Sequence, residues 1–116
     1  MRSKLFVPAS RPELYAKALA GPADALSFDL EDSVAAERKD AARQELGAWL
    51  AAPPAAQSGK TLIVRVNGLD TPHFGADVQA VAREGLDMLN LPKAEEVEQV
   101  REAASALARA EAANGV

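Results

Sequence analysis

Three carboxylates fall within four positions of this sequence, a density typical of a site for a hard metal ion. Asp29, Glu31 and Asp32 end an apolar run, and Arg65 ends a later, β-branched run. Mg²⁺ prefers oxygen ligands and often keeps several of its waters, so it suits such a group. Asp29 and Arg65 alternate with Leu, Val or Phe, which places them on the strand face opposite the apolar face. Each of these two charges needs a partner or a ligand, because an unpaired buried charge is unfavourable.

Structural explanations compete with the functional one for these residues. Asp29 and Arg65 could form a salt bridge with each other, an alternative as good as a substrate site from spacing alone. Asp32 or Ser33 could cap the helix that follows, although a cap explains one carboxylate and not three. His73 stands in a predicted loop and is interpreted as a surface residue rather than a base.

The elements that must hold these residues alternate regularly between strand and helix. The predicted strands cover residues 5–7, 25–30, 61–66 and 86–91. A helix is predicted after each strand, starting near Ser10, Ala35 and Thr71 and after Pro92. The first helix start has the Ser-x-x-Glu pattern of a capping box, formed by Ser10 and Glu13. Four βα units in this order predict an α/β fold with parallel strands joined by right-handed crossovers.

Polar residues follow every one of the four predicted strands. They are Ser10 and Arg11, then Asp29, Glu31 and Asp32, then Arg65 and Asn67, and finally Lys93 and Glu95. In parallel α/β proteins, ligands bind at the carboxyl ends of the strands, in barrels and open sheets alike. The sequence therefore predicts a shared binding site at this rim, with a solvated helix start as the alternative for Lys93 and Glu95.

Composition excludes several classes of protein. The chain has 116 residues, enough for one domain, and a net charge of −4 with few aromatic residues. It lacks the basic patch and the stacking rings of a nucleic-acid-binding protein. Without cysteine and with a single histidine, it has no disulfide, no thiolate nucleophile and no Cys or multi-His metal site. The apolar run at residues 5–7 is too short for a signal peptide or a membrane span, so we expect a cytoplasmic protein that binds neither nucleic acid nor membrane.

Four stretches of the sequence resemble the citrate lyase β-subunit-like (HpcH/HpaI aldolase) family. They are RSKLFVPASRPE at 2–13, FDLEDSV at 28–34, VRVNGLDT at 64–71 and LPKAE at 91–95. The stretches span nearly the whole chain, and their order and spacing match as well. Ala9 stands where the family usually has glycine, and Gly68 where proline is common, both of them mild changes in loop geometry.

The resemblance implies a (β/α)₈ TIM barrel, of which residues 1–116 supply about the first four βα units as an apparently truncated amino-terminal half. It implies Mg²⁺-dependent cleavage of a carbon–carbon bond in a citryl-, malyl- or related β-hydroxyacyl thioester, which gives an acetyl thioester and an oxo acid. Coenzyme A or an acyl carrier protein would carry the thioester. A homo-oligomer or a multi-subunit lyase complex is the expected assembly.

The resemblance also implies roles for residues at the rim. Arg65 would bind the carboxylate or carbonyl oxygen of the substrate, through paired hydrogen bonds that a lysine cannot make. Asp29, Glu31 and Asp32 would be catalytic carboxylates that hold waters of the Mg²⁺ shell or substrate hydroxyls. Glu31 and Asp32 are expected to reach the metal through water, with a Glu and an Asp beyond residue 116 as its direct ligands. The further substrate-binding candidates are Asn67, Lys93 and Glu95 at the rim and, for the coenzyme A portion, Phe6 and Lys17.

Two other functions are open on the sequence alone. The chain could be a non-catalytic relative that binds an acyl thioester or a partner protein. It could also be a flavodoxin-like receiver domain, although a receiver needs a phosphoacceptor aspartate after the third strand, where this sequence has Arg65. Release of acetyl-CoA from malyl- or citryl-CoA, with and without Mg²⁺, distinguishes a lyase from a binding protein.

Overall fold

Four parallel strands form a sheet in which each strand lies beside the one before it in the chain. The computed structural model describes residues 4–52, 55, 58–68, 71–91 and 97–115. The strands, in their order across the sheet, are β1 (Lys4–Pro8), β2 (Ala25–Asp29), β3 (Thr61–Arg65) and β4 (Met88–Asn90). The predicted α/β fold with parallel strands is confirmed.

A helix follows each strand. The helices are α1 (Tyr15–Ala20), α2 (Lys39–Ala51), α3 (Phe74–Val81) and α4 (Val97–Asn114). Short 3₁₀ turns at Pro12–Leu14 and Ala36–Arg38 precede α1 and α2. In the part of the chain that the structure describes, no helix is long and apolar enough to cross a membrane.

The strand order distinguishes two architectures that a βα repeat can adopt. In a flavodoxin-like sheet the first strand lies between the second and the third. Here β2 lies between β1 and β3 instead. Strands that neighbour each other in chain order are the arrangement of a (β/α)₈ barrel, in which each right-handed crossover puts its helix on the same side of the sheet. The barrel-type order is therefore confirmed for these four units, and the receiver-domain alternative is wrong.

The core lies between the helices and one face of the sheet. Alternate strand residues are fully buried there, namely Leu26, Phe28, Leu62 and Val64. The rings of Tyr15, Phe28 and Trp49 pack against one another with centroids 5.2 and 5.3 Å apart, which joins α1, β2 and α2. The opposite face carries Phe6 and Met88, which are 68% and 50% exposed.

The first helix starts differently from the prediction. The residue before the first 3₁₀ turn is Arg11, and no side chain caps that turn or α1. The predicted capping box of Ser10 and Glu13 is therefore wrong. Backbone bonds from Arg11 to Pro8 and from Leu14 to Arg11 turn the chain instead, and Pro12 occupies the start of the turn.

The helical segment after β2 begins at Ala36 with a 3₁₀ turn, close to the predicted start near Ala35, and continues as α2 from Lys39. Neither Asp32 nor Ser33 caps it, so that structural explanation of the carboxylates is wrong. The reason is Asp29, because its side chain takes up backbone N–H groups of the segment after β2 and folds that segment into a turn of its own.

Candidate functional site

Asp29 and Arg65 meet at the carboxyl ends of neighbouring strands. They are partners in the register of β2 and β3. The Nε and Nη2 atoms of Arg65 donate to the two carboxylate oxygens of Asp29, at 2.9 and 2.7 Å. The Arg65 side chain is 33% exposed and that of Asp29 is 11% exposed. The ion pair, one of the two alternatives for these charges, is therefore present, and it lies at the rim where the binding site is predicted.

Glu31 and Asp32 come from the turn after β2 and approach the same guanidinium. A Glu31 carboxylate oxygen lies 3.7 Å from Arg65 Nε, and an Asp32 oxygen lies 3.6 Å from Arg65 Nη2. Three carboxylates thus surround one guanidinium and give the cluster a net negative charge. The structure brings the four predicted catalytic residues together, while their catalytic roles stay predictions.

Asp29 organises this cluster from its centre. Its two carboxylate oxygens accept the backbone N–H groups of Glu31 and Ser33, at 2.9 and 3.0 Å, in addition to the bonds from Arg65. Burial raises the pKa of Asp29, but the hydrogen bonds from Arg65, Glu31 and Ser33 outweigh it and lower the pKa from 3.8 to about 2. The hydrogen bond to Asp29 in turn raises the pKa of Arg65. Both groups are therefore charged at neutral pH.

The ion pair occupies only one edge of the Arg65 guanidinium. Asp29 takes the edge formed by Nε and Nη2, and no hydrogen bond to Nη1 is formed by the residues that the structure describes. A guanidinium has five N–H donors in a fixed plane, so the edge formed by Nη1 and Nη2 can bind a second anion. A carboxylate or an oxyanion bound at this edge would lie beside Asp32, whose carboxylate oxygen is 3.6 Å from Nη2.

Asn67 lies behind the rim, in a buried hydrogen-bond network. It is only 3% exposed. Its Nδ2 donates to the Leu30 carbonyl and to Asp77, its backbone N–H also donates to Asp77, and its Oδ1 accepts from Lys39. These bonds account for Asn67 as a structural residue, which disfavours direct contact with substrate.

Sequence reasoning missed Lys39, Arg43 and Asp77, which complete this network. Asp77 is fully buried, and its Oδ1 accepts from Arg43 Nε at 2.8 Å. Arg43 is itself buried and contacts His73 Nδ1 at 2.8 Å. For two of these residues the sequence did contain a signal, namely a charge at helical spacing from an apolar residue. Asp77 stands three residues after Phe74 on α3, and Arg43 stands three residues before Leu46 on α2.

The remaining substrate-binding candidates are dispersed. Phe6 lies on the exposed face of the sheet, two residues before the end of β1, and Lys4 Nζ lies 5.0 Å from its ring centre. Lys17 is exposed in the last turn of α1, which leads away from the rim. Lys93 and Glu95 lie outside the described residues. The structure thus brings neither Phe6 nor Lys17 into contact with the cluster around Arg65.

The carboxylates at the rim were also predicted to take part in Mg²⁺ binding. Among the residues that the structure describes, no group of three or more His, Cys, Asp or Glu side chains is arranged to hold a metal ion. Glu31 and Asp32 point toward Arg65 instead, and they supply oxygen atoms of the kind that suits a hydrated Mg²⁺. Contact with the metal through water therefore stays a prediction for these two residues.

Comparison with known protein families gives one match over almost the whole chain. The model of the HpcH/HpaI aldolase/citrate lyase family matches residues 2–116. The citrate lyase subunit beta of Escherichia coli is 40% identical over 114 residues, which cover 98% of this chain and 37% of that protein. The L-malyl-CoA/beta-methylmalyl-CoA lyase of Cereibacter sphaeroides is 43% identical over 96 residues, which cover 79% of this chain and 29% of that protein. The matched part of the chain thus spans about a third of these relatives' length, 37% of the first and 29% of the second.

A solved structure shows the same arrangement of elements. CitE from Mycobacterium tuberculosis, in complex with magnesium, acetoacetate and coenzyme A, superposes with a TM-score of 0.70 at 41% identity. The superposition covers 87% of this chain and 35% of that protein. The arrangement of strands and helices is therefore that of a known fold.

Proposed function

This chain belongs to the HpcH/HpaI aldolase/citrate lyase family, and on that premise we propose that it forms part of a Mg²⁺-dependent carbon–carbon lyase. The proposed substrate is a citryl-, malyl- or related β-hydroxyacyl thioester, which is cleaved to an acetyl thioester and an oxo acid. The observation that carries the proposal is the Arg65 guanidinium, which Asp29 holds at the rim by the edge formed by Nε and Nη2, so that Nη1 and the second N–H of Nη2 are left to bind an anion. An oxo acid has a carboxylate that matches this edge.

In the proposed reaction, the substrate's β-hydroxyl loses its proton and the adjacent carbon–carbon bond breaks. The electrons of that bond pass to the α-carbon and carbonyl of the thioester as an enolate, and protonation of the α-carbon then gives the acetyl thioester. The hydroxyl-bearing carbon leaves as the carbonyl of the oxo acid. Arg65 binds the carboxylate of this oxo acid and orients the bond that breaks.

The rim carboxylates have separate roles in this proposal. Asp29 holds the guanidinium plane, so that Arg65 needs no reorganisation when the substrate binds. Glu31 and Asp32 would accept hydrogen bonds from the waters of a bound Mg²⁺, which would take its direct ligands from elsewhere in the complete protein. The magnesium complex of the M. tuberculosis relative supports Mg²⁺ as the metal. When bound, Mg²⁺ supplies a positive charge that stabilises a developing oxyanion.

Coenzyme A is the proposed carrier of the thioester, with an acyl carrier protein as the alternative. The coenzyme A complex of the M. tuberculosis relative supports the first. Phe6, Lys17, Asn67, Lys93 and Glu95 stay the proposed substrate-binding residues, with Asn67 the least favoured because it is buried. A cytoplasmic location and a homo-oligomer or lyase complex also belong to the proposal.

Acetyl-CoA release from malyl-CoA and citryl-CoA by the complete protein tests the proposal. Release that requires Mg²⁺ and stops on addition of a chelator is the expected result. A non-catalytic relative would bind the same thioesters without releasing acetyl-CoA, and calorimetry on the same samples detects such binding.

A further inference from the structure

Lys39 uses its ammonium group in a way that local helix stability does not explain. It is the first residue of α2, where the helix dipole disfavours a positive charge. Its Nζ donates to the carbonyls of Leu30 and Glu31, at 3.0 and 2.8 Å, and to Asn67 Oδ1 at 2.9 Å. An ammonium group has three N–H donors, so these three bonds saturate it.

The bonds of Lys39 fix the main chain of Glu31 from one side. Asp29 fixes it from the other side, because its carboxylate accepts the Glu31 N–H at 2.9 Å. Both polar groups of the Glu31 main chain thus have partners, and its side chain extends from a fixed position toward Arg65. Without Lys39, the carbonyl of Glu31 would keep only the longer bond from the Val34 N–H, at 3.5 Å.

Asn67, the side chain that Lys39 contacts besides the turn after β2, is itself held in place. Asn67 is held by Asp77, and Asp77 by Arg43, all three of them buried. Lys39 therefore connects the turn after β2 to a rigid network that also includes the segment after β3 and the helix α3. Lys39 thus adds to the bonds that already join the ends of β2 and β3, namely the Asp29–Arg65 pair and the bond from Asn67 Nδ2 to the Leu30 carbonyl.

We propose that Lys39 is a positioning residue of the rim, which holds Glu31 in place beside Nε of the Arg65 guanidinium. The inference rests on the proposed lyase function. In this role Lys39 touches neither substrate nor metal. It acts on the rim only through the main chain of the segment that carries Glu31. Outer residues that orient the groups of a metal site typically change affinity or activity by about 10- to 100-fold.

Lys60 offers a matched control within the same chain. Its Nζ also donates to two backbone carbonyls, those of Gly21 and Ala23, but at the amino ends of β2 and β3. Lys39→Met and Lys60→Met remove the same charge and similar carbonyl contacts from opposite ends of the sheet. Only the first should affect the rim.

The experiment compares the complete wild-type protein with both variants, at a temperature where melting curves show all three to be folded. The lyase kcat/KM and hydrogen exchange of the segment 30–33 are measured. Lys39→Met should lower kcat/KM about 10- to 100-fold and accelerate exchange in that segment. Lys60→Met should lower the melting temperature similarly while both readouts stay close to wild type.

The outcomes distinguish the inference from the proposed function. Equal losses of kcat/KM in the two variants, or unchanged exchange at 30–33 in Lys39→Met, would overturn the positioning role. If the wild type cleaves no thioester, the proposed lyase function fails, and the exchange comparison alone then decides whether Lys39 holds the segment.

Discussion

Asp29 and Arg65 are register partners on β2 and β3, and two hydrogen bonds lock the guanidinium plane at the rim of the sheet. The same carboxylate accepts two backbone N–H groups of the turn that carries Glu31 and Asp32. One side chain therefore fixes both the arginine and the carboxylates that face it. The proposed anion site would therefore be preorganised by the same charge pair that stabilises the structure.

The lowered pKa of Asp29 predicts how stability depends on pH. Because the pKa falls from 3.8 in the unfolded chain to about 2 in the fold, the ionised carboxylate stabilises the fold above the unfolded value. The contribution, about 2 kcal/mol, should be lost as the pH falls from about 4 to about 2. Urea unfolding of wild type and Asp29→Asn should give free energies that differ near neutral pH and converge in acid. A difference that stays constant down to about pH 2 would refute this assignment.

A side chain at position 47 should destabilise the fold, because α2 and α3 are in close contact at Gly47. A Cβ built at Gly47 would lie 2.2 Å from the carbonyl oxygen of Ala80, a backbone atom that cannot move aside alone. Gly47→Ala should therefore destabilise the fold by about 1–3 kcal/mol, although alanine favours a helix. Gly75→Ala on α3 is the control, since a Cβ there meets nothing within 4 Å. Urea unfolding of both variants checks the prediction, and an equally small effect in both would contradict the close packing.

The sequence predicted the rim but not the network behind it. The alternation of residues along the strands placed Asp29 and Arg65 on one face of the sheet, and the parallel topology placed them at one end. Together these two features predicted that the side chains lie close to each other. Lys39 and Asp77 were missed because a charged residue on a helix usually faces solvent, and their long-range partners depend on how the helices pack. The capping box of Ser10 and Glu13 failed because a 3₁₀ turn starts the first helix.

The buried carboxylate of Asp77 should contribute far more to the free energy of unfolding than the exposed carboxylate of Asp40, although both pair with Arg43. Asp77→Asn removes the buried counter-charge of Arg43 and leaves only the solvent-exposed Asp40, so we expect a loss of about 3–5 kcal/mol. Asp40 has a side chain that is 88% exposed, so Asp40→Asn should cost under about 1 kcal/mol. Chemical unfolding of the two variants measures both values. Similar losses in the two variants would show that Asp77 is not the partner that matters.

Steady-state kinetics of Arg65→Lys in the complete protein tests the central claim most directly, because lysine keeps the charge and loses the second bonding edge. If one edge of Arg65 pairs with Asp29 while the other binds the oxo-acid carboxylate, kcat/KM for malyl- or citryl-CoA should fall by about 100-fold or more, nearly as far as in Arg65→Ala. A lysine variant that cleaves these thioesters at a rate close to wild type would contradict the claim.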